Sequence, residues 1–352
     1  MRPLLAAAPT LERVAAALDG TGPALLPTTD PQVVSALRGD EPVADEVAVV
    51  VPTSGSTGKP KGVLLTADAL QASATATARR LGGHGQWLLA LSAAHVGGLQ
   101  VLVRSVLAGT TPAVLEGPTT PESFEATAEQ LTGDRRYVSL VPTQLRRLLD
   151  VPLLASFDAV LLGGAAAPAD LLEAARDRGV RVVTTYGMSE TSGGCVYDGV
   201  PLDGVEVQAG DPIRIRGPVL ARAYLHGPLR DANGWFSTGD VGEWQDGRLV
   251  VLGRVDDVVV TGGAKVVPGV VEARLRAHPS VVEAAVVGVP DAEWGQRVVA
   301  VVVLRAPLDL DAAREHVSGP LPRAAAPREL RVVDALPLLP SGKVDRVRLA
   351  RS

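Results

Sequence analysis

Apolar residues along this chain gather into short runs, with stretches of helical periodicity between them. The run at 47–51 reads as a buried strand, and further strands read at 87–91, 112–115, 137–141, 158–162 and 180–184. Helices are expected at 66–80, opened by Thr66 or Asp68 as cap, and at 97–107, 122–131, 143–149 and 168–178. Strands recurring with helices between them imply parallel sheets covered on both faces. Ahead of this alternation, residues 1–46 suggest two short helices joined by Gly/Pro/Thr-rich turns, the second starting at Asp30-Pro31. The apolar patch at 1–18, interrupted by Pro9, Glu12 and Arg13, reads as an amphipathic helix and not as a signal sequence.

From about Val205 the texture changes. Short strands at 205–208, 213–216, 234–236 and 248–252, with turn signals between them, suggest a small β-rich subdomain. After Gly253-Arg254 a compact α+β unit follows. Its strands at 281–289 and 297–304 flank a turn at Pro290-Asp291, and a helix at 309–317 precedes a Pro-rich tail.

The bulk numbers narrow the class. At 352 residues the chain is too long for one ordinary core and comfortable for two domains. Apolar residues make up 46 % and charged residues 21 %, which marks a globular protein. A net charge of −5 without blocks of like charge argues against nucleic acid or a membrane surface as partner. The single cysteine, Cys195, excludes an intramolecular disulfide and any multi-cysteine metal site, and the histidines show no metal-ligand spacing. The most apolar window, 87–103, contains Ser92, His95 and Gln100, so no membrane insertion is expected and a cytoplasmic location follows.

Candidate chemistry begins directly after the first strand. Thr53-Ser54-Gly55-Ser56-Thr57-Gly58-Lys59-Pro60-Lys61-Gly62 packs three glycines, four hydroxyls and two lysines into ten residues. Small residues let backbone N–H groups turn toward an anion, hydroxyls add donors, and lysines supply point charge, which suits a polyphosphate. The spacing is not that of a Walker A loop, and a flexible Ser/Gly loop is the alternative.

Farther on, Thr184-Thr185-Tyr186-Gly187-Met188-Ser189-Glu190-Thr191 follows a parallel strand, where open α/β sheets bind ligands. Tyr186 can lay its ring on a planar base, and Glu190 is a hard oxygen ligand suited to Mg²⁺; a tight turn with a surface glutamate is the other reading. The block also resembles a nucleophile elbow, but Thr191 stands in place of the final glycine. Asp240, after Ser237-Thr238-Gly239, suits a ribose hydroxyl or an ordinary turn. Arg254 could donate to ribose or phosphate, while Asp256 and Asp257 could cap a turn. Lys343, in Pro340-Ser341-Gly342-Lys343, would by itself pass for a surface lysine.

In this order and spacing the motifs together resemble the adenylate-forming acyl-CoA synthetases, the AMP-binding family, over nearly the whole chain from about Val47 to Arg348. That resemblance implies an α/β adenylate-forming fold. It has a large N-terminal domain of αβαβα-type sheets with a small β subdomain (1–255) and a small mobile α+β C-terminal domain (256–352). It implies ATP, Mg²⁺ and coenzyme A as ligands and a small carboxylic acid as substrate. The loop residues Thr53, Ser54, Gly55, Ser56, Thr57, Gly58, Lys59 and Lys61 would hold the phosphates. Glu190 would hold Mg²⁺, Ser189 and Thr191 would contact the α-phosphate region, and Tyr186 and Gly187 with Gly163, Gly164 and Ala165 would border adenine. Asp240 and Arg254 would hold the ribose. Lys343 would bridge carboxylate and α-phosphate, then withdraw as the C-terminal domain swings about Asp256 and brings Gly262 and Gly263 to a pantetheine tunnel.

The acid is read from 92–104. Gln100 and Arg104 lie four apart on one helix face, and a cation flanked by valines is costly without an anionic partner, unless it snorkels to the surface. His95-Val96-Gly97-Gly98-Leu99-Gln100, with Arg104 nine residues after the histidine, resembles the o-succinylbenzoate–CoA ligases of menaquinone synthesis. By that resemblance His95, Gln100, Arg104 and Gly187 border the acyl group, and Arg104 grips the carboxylate that does not react. Another aryl- or acyl-CoA ligase, or a carrier-loading adenylation module, is the alternative. The short front, with about fifty residues before the phosphate loop, implies a first subdomain that is either rearranged or completed by a partner subunit, as in a homodimer.

Overall fold

The computed structural model describes residues 1–54, 60–338 and 344–351. Contacts divide the chain into two compact units, Met1–Val207 with Ile215–Phe236 and Gln208–Arg214 with Ser237–Ser352.

The first unit holds two sheets. One has the strand order Leu4–Ala6, Ala24–Leu26, Val47–Ser54, Pro60–Thr66, Ala223–Tyr224, parallel across the first three and antiparallel thereafter. Residues 47–51 are each at most 1 % exposed, which is why this strand reads as an unbroken apolar run without alternation. The other has the order Val200–Pro201, Gly193–Tyr197, Val182–Met188, Ala159–Leu162, Arg136–Leu140, Gln86–Leu89, Ala113–Val114. Its last five strands are parallel, and its first two add an antiparallel edge. A core of Leu88, Val138, Leu140, Val160 and Leu162 packs against Phe124, Leu145, Leu148 and Leu171. Strand order reverses between Gln86–Leu89 and Arg136–Leu140, so the loop leaving Gln86–Leu89 opens at a topological switch point, the usual ligand crevice of such sheets.

Two helices frame that crevice and pack on each other. Ala67–Leu81 starts at Thr66, whose hydroxyl accepts from Ala69 N, and stops at Gly82 with φ 91°. Val96–Ala108 stops at Gly109 with φ 65°.

The second unit begins its regular structure with the hairpin Asp240–Gln245/Arg248–Arg254. Its turn residues Asp246 and Gly247 both have positive φ, 47° and 74°, matching a twist-compatible two-residue loop. A second sheet pairs Ala264–Val266 with Val259–Thr261, which touches Gly295–Leu304. That strand in turn lies between Val281–Asp291 and Glu329–Val332. Helices Pro268–Arg276, Leu310–Ser318 and Arg346–Arg351 complete it. Among the described residues no helix is long and apolar enough to cross a membrane.

Several elements depart from expectation. The stretch 1–18 is a strand followed by the helix Leu11–Asp19, because Leu4–Ala6 pairs with Ala24–Leu26, a partner no local pattern announces. Pro290-Asp291 is not a turn. The strand continues to Asp291, whose carboxylate accepts from the N–H groups of Glu293 and Trp294 and so makes the turn at 292–294. Helices Pro268–Arg276 and Arg346–Arg351 were not expected, since Val266, Val267, Val270 and Val271 extend an apolar run that masks the start of the first.

Arg346 ties the last helix into its unit. It donates to both oxygens of Glu272 at 2.6 and 3.2 Å and to Val286 O at 2.7 Å, and its Nε lies 3.2 Å from Asp257. Glu272 is 8 % exposed in its side chain, so removing Arg346 leaves a buried carboxylate without a counter-charge, held only by the Val286 N–H at 2.8 Å. Arg346→Met is expected to cost about 3–5 kcal/mol, seen as a lowered urea midpoint. An unchanged midpoint contradicts the assignment.

Candidate active site

The phosphate-loop segment sits between two antiparallel strands, Val47–Ser54 and Pro60–Thr66, whose ladder closes at Ser54 opposite Pro60. Below it Thr53 donates to Lys61 O at 3.3 Å. The element after the loop is therefore a strand, with the helix beginning only at Ala67. Gly55, Ser56, Thr57, Gly58 and Lys59, and the side chain of Ser54, lie outside the described residues, as does Lys343.

Beside this ladder stands the turn that carries Glu190. Strands Val182–Met188 and Gly193–Tyr197 form a hairpin, so most of the Thr184–Thr191 block belongs to the strand itself and not to the loop after it. A Cβ on Gly187 would lie 2.1 Å from Gly193 O, so only glycine allows the two strands to close. Ser189–Thr191 makes one 3₁₀ turn and Ser192 then turns left-handed, φ 52°, a conformation L residues adopt at a cost.

What holds that conformation is a set of buried hydrogen bonds. Ser192 O accepts from Gln100 Nε2 at 2.8 Å and Ser73 Oγ at 3.0 Å, and Ser192 Oγ donates to Val219 O at 2.8 Å. Thr191 is buried, and its hydroxyl accepts from Met188 N and donates to Gly193 O at 2.7 Å, so it is spent inside the turn. Ser189 and Glu190 are half-buried. Glu190 O accepts from Ala221 N at 2.8 Å, and Glu190 Oε1 accepts from Tyr224 Oη at 3.0 Å. Burial and the Glu190 carboxylate push the Tyr224 phenol above its usual range, which keeps it a donor. Lys61 Nζ lies 5.7 Å from the Tyr224 ring centroid.

At the carboxyl end of Ala159–Leu162, Gly163 abuts the neighbouring strand, where a Cβ would lie 2.4 Å from Thr185 Oγ1. Gly164 follows with φ 80°, and it and Ala165 are exposed. Tyr186, half-buried, stands one residue along from Thr185.

The loop at the switch point leads into Val96–Ala108, with His95 as N-cap making no side-chain capping bond. Close approach fixes Gly98, whose Cβ would lie 2.4 Å from Ser92 O. Gln100 commits its amide nitrogen to the backbone of Ser192 and Leu70, while its Oε1 is buried with no partner. Arg104 does not snorkel: it is 6 % exposed, with its guanidinium 4.8 Å from the Trp87 ring centroid and Nη2 3.4 and 3.5 Å from Tyr197 Oη and Thr77 Oγ1. Its Nε has no partner, no described carboxylate pairs with it, and burial lowers its pKa. Cys195 is buried, which pushes its thiol up to about 12 and keeps it out of the chemistry.

The second unit gathers the other expected residues. Asp240, 8 % exposed, accepts from Arg254 Nη1 at 3.1 Å across the hairpin, and Arg254 Nη2 is 3.9 Å from Asp256. Gly262 and Gly263 form the tight link between Val259–Thr261 and Ala264–Val266, with φ 55° and 79°.

Among the described residues no three His, Cys, Asp or Glu side chains cluster as a metal site. Glu190 nevertheless fits Mg²⁺: one carboxylate oxygen is held by Tyr224, and Mg²⁺ commonly takes one or two carboxylates together with substrate phosphates and water. Tyr224, Ser73 and Ser192 were missed from the sequence. Tyr224 has no motif signal about it, and although Ser73 lies in an expected helix and Ser192 directly follows the Thr184–Thr191 block, the roles of all three come from contacts more than thirty residues away.

Comparison with known proteins follows the same outline. The model of the AMP-binding enzyme family matches residues 4–224, and that of the AMP-binding enzyme C-terminal domain matches residues 270–343. A "probable 2-succinylbenzoate–CoA ligase" of Mycobacterium tuberculosis is 49 % identical over 97 % of this chain and 94 % of that protein. The 2-succinylbenzoate–CoA ligase of Bacillus licheniformis is 34 % identical over 87 % of this chain and 70 % of its own. Among solved structures, Escherichia coli MenE with a bound analogue of OSB-AMS has a TM-score of 0.78 at 26 % identity, covering 99 % of this chain and 95 % of that one. The o-succinylbenzoate CoA synthetase MenE of Bacillus subtilis, in complex with the acyl-adenylate OSB-AMP, has a TM-score of 0.74 at 28 % identity, covering 97 % and 81 %.

Proposed function

The chain belongs to the AMP-binding enzyme family, and from that premise we propose that it is an acid–thiol ligase acting on o-succinylbenzoate. It consumes ATP and coenzyme A and yields o-succinylbenzoyl-CoA, AMP and pyrophosphate, a step of menaquinone biosynthesis in the cytoplasm. The observation that carries this reading is 49 % identity, over 97 % of the chain, to a protein named for that reaction.

In the first step a substrate carboxylate oxygen attacks the α-phosphorus of ATP and the bond to pyrophosphate breaks. Thr53, Lys61 and the residues of the loop up to Lys59 hold the β- and γ-phosphates, with backbone N–H groups and lysine charge opposing the phosphate charge. Tyr186 stacks on adenine beside Gly163, Gly164 and Ala165, and Ser189 faces the α-phosphate. Glu190 would hold Mg²⁺, which neutralises phosphate charge during transfer. Thr191 shapes the turn that presents both neighbours. Asp240 and Arg254 hold the ribose, each already oriented by the other. Lys343 donates to the reacting carboxylate and the α-phosphate as charge builds between them.

In the second step the thiolate of coenzyme A attacks the acyl carbon and AMP leaves with the electron pair of the broken anhydride. Motion of 256–352 about Asp256 withdraws Lys343, and Gly262 and Gly263 give a thin pantetheine arm room to pass the backbone. The buried Arg104 cation, with no described carboxylate partner, supports a substrate carrying a second carboxylate. His95, Gly187 and Gln100 border the acyl group, and Gln100 also braces the turn through its amide nitrogen.

Product analysis tests the scheme. With ATP and o-succinylbenzoate alone, mass spectrometry should find an acyl-adenylate and one pyrophosphate per enzyme, and added coenzyme A should convert it to thioester and AMP. Formation of ADP, or of thioester without a preceding adenylate, contradicts it.

A further inference from the structure

We propose that Tyr224 is a positioning residue for Glu190, holding one carboxylate oxygen so that the other is presented to a divalent cation on the ATP phosphates. This rests on the reading of Glu190 as the metal ligand.

The short segment 219–224 is bonded on two sides. Toward the turn, Val219 O accepts from Ser192 Oγ at 2.8 Å, Ala221 N donates to Glu190 O at 2.8 Å, and Tyr224 Oη donates to Glu190 Oε1 at 3.0 Å. Toward the phosphate loop, Ala223 and Tyr224 pair with Leu64 and Val63 of the strand that leaves it. Arg222 N donates to Leu64 O at 2.9 Å, and Leu225 N donates to Gly62 O at 2.8 Å. One segment therefore sets the distance between the strand bearing Lys61 and the turn bearing Glu190.

Tyr224 also stands between opposite charges. Lys61 Nζ lies over its ring, 5.7 Å from the centroid, while its hydroxyl meets the carboxylate, and no described ion pair joins Lys61 to Glu190. The ring face attracts the cation and the O–H occupies the anion. Were the two charges to meet directly, each would neutralise the other, leaving neither for phosphate or metal. Tyr224 keeps them apart and available, as an outer partner that orients a metal-binding carboxylate.

Tyr224→Phe keeps the ring and removes the donor. Binding of Mn²⁺ to enzyme holding a non-hydrolysable ATP analogue, followed by electron paramagnetic resonance, should weaken about tenfold or more, the range found when such outer partners are lost. The Mg²⁺ concentration for half-maximal pyrophosphate exchange should rise in parallel, with KM for the acid and the thermal midpoint little changed. Mn²⁺ affinity equal to that of the parent protein overturns the proposal, and so does a fall in thermal midpoint without a change in Mn²⁺ affinity. Glu190→Gln separates the two claims: if it too binds Mn²⁺ normally, the reading of Glu190 as ligand fails as well. If it binds weakly while Tyr224→Phe does not, only the positioning role fails.

Discussion

Lys343→Ala should lower acyl-adenylate formation by on the order of 10²–10³-fold while sparing thioester formation from supplied acyl-adenylate. The expectation rests on where charge develops. As the carboxylate attacks, negative charge gathers on the bridging and non-bridging oxygens of the α-phosphate, and a cationic donor reaching both reactants stabilises that state more than the separated ones. In the proposed thiolysis step the charge sits on the departing phosphate and Lys343 would be withdrawn, so its loss should matter little. The chain on either side of the lysine is held firmly. Leu338 and Val344 form an antiparallel bridge, Asp345 N donates to Pro337 O at 2.8 Å, and Arg346 is locked to Glu272 and Asp257. Pyrophosphate exchange and thiolysis, measured separately, check the split; equal loss in both contradicts a two-position mechanism.

Arg104→Met should raise KM for o-succinylbenzoate by on the order of 10²-fold, because truncating one member of a buried charge pair costs about 2–5 kcal/mol. Arg104 is 6 % exposed among Trp87, Thr77 and Tyr197, so its charge is poorly repaid by the protein itself. A second substrate carboxylate would supply the missing anion and accept from the unpartnered Nε. Methionine fills most of the vacated volume without the charge. A monocarboxylic aromatic acid, having nothing to offer Arg104, should bind the variant no worse than the parent. Equal losses for both acids would mean that the arginine does not read the second carboxylate, and a lowered thermal midpoint beside them would assign it to the fold.

How much of this was legible beforehand depends on the range of each interaction. The parallel strands, buried on both faces and separated by helices, announce themselves in apolar runs such as 159–162, and helix starts such as Thr66 follow from local capping chemistry. Leu4–Ala6 does not, because three residues carry no period and its partner lies twenty residues on. The site divides in the same way. Glu190 and Tyr186 stand in a dense motif, whereas Tyr224 meets Glu190 from thirty-four residues away, and nothing in its neighbourhood marks it. Thr191 was expected to reach toward the α-phosphate, but its hydroxyl closes the turn, since a left-handed Ser192 leaves Met188 N and Gly193 O to be satisfied locally. Gln100 carries a second task besides its proposed place in the acyl site. Its amide nitrogen braces the Ser192 carbonyl, a backbone partner that side-chain spacing cannot foretell.

Which acid the enzyme activates is settled by a pyrophosphate-release assay over a small panel of carboxylic acids. The panel should hold o-succinylbenzoate, benzoate, a medium-chain fatty acid and a short aliphatic diacid, each with ATP, Mg²⁺ and coenzyme A. The kcat/KM for o-succinylbenzoate should stand far above the rest. Turnover of benzoate or of the fatty acid far better than o-succinylbenzoate would contradict it.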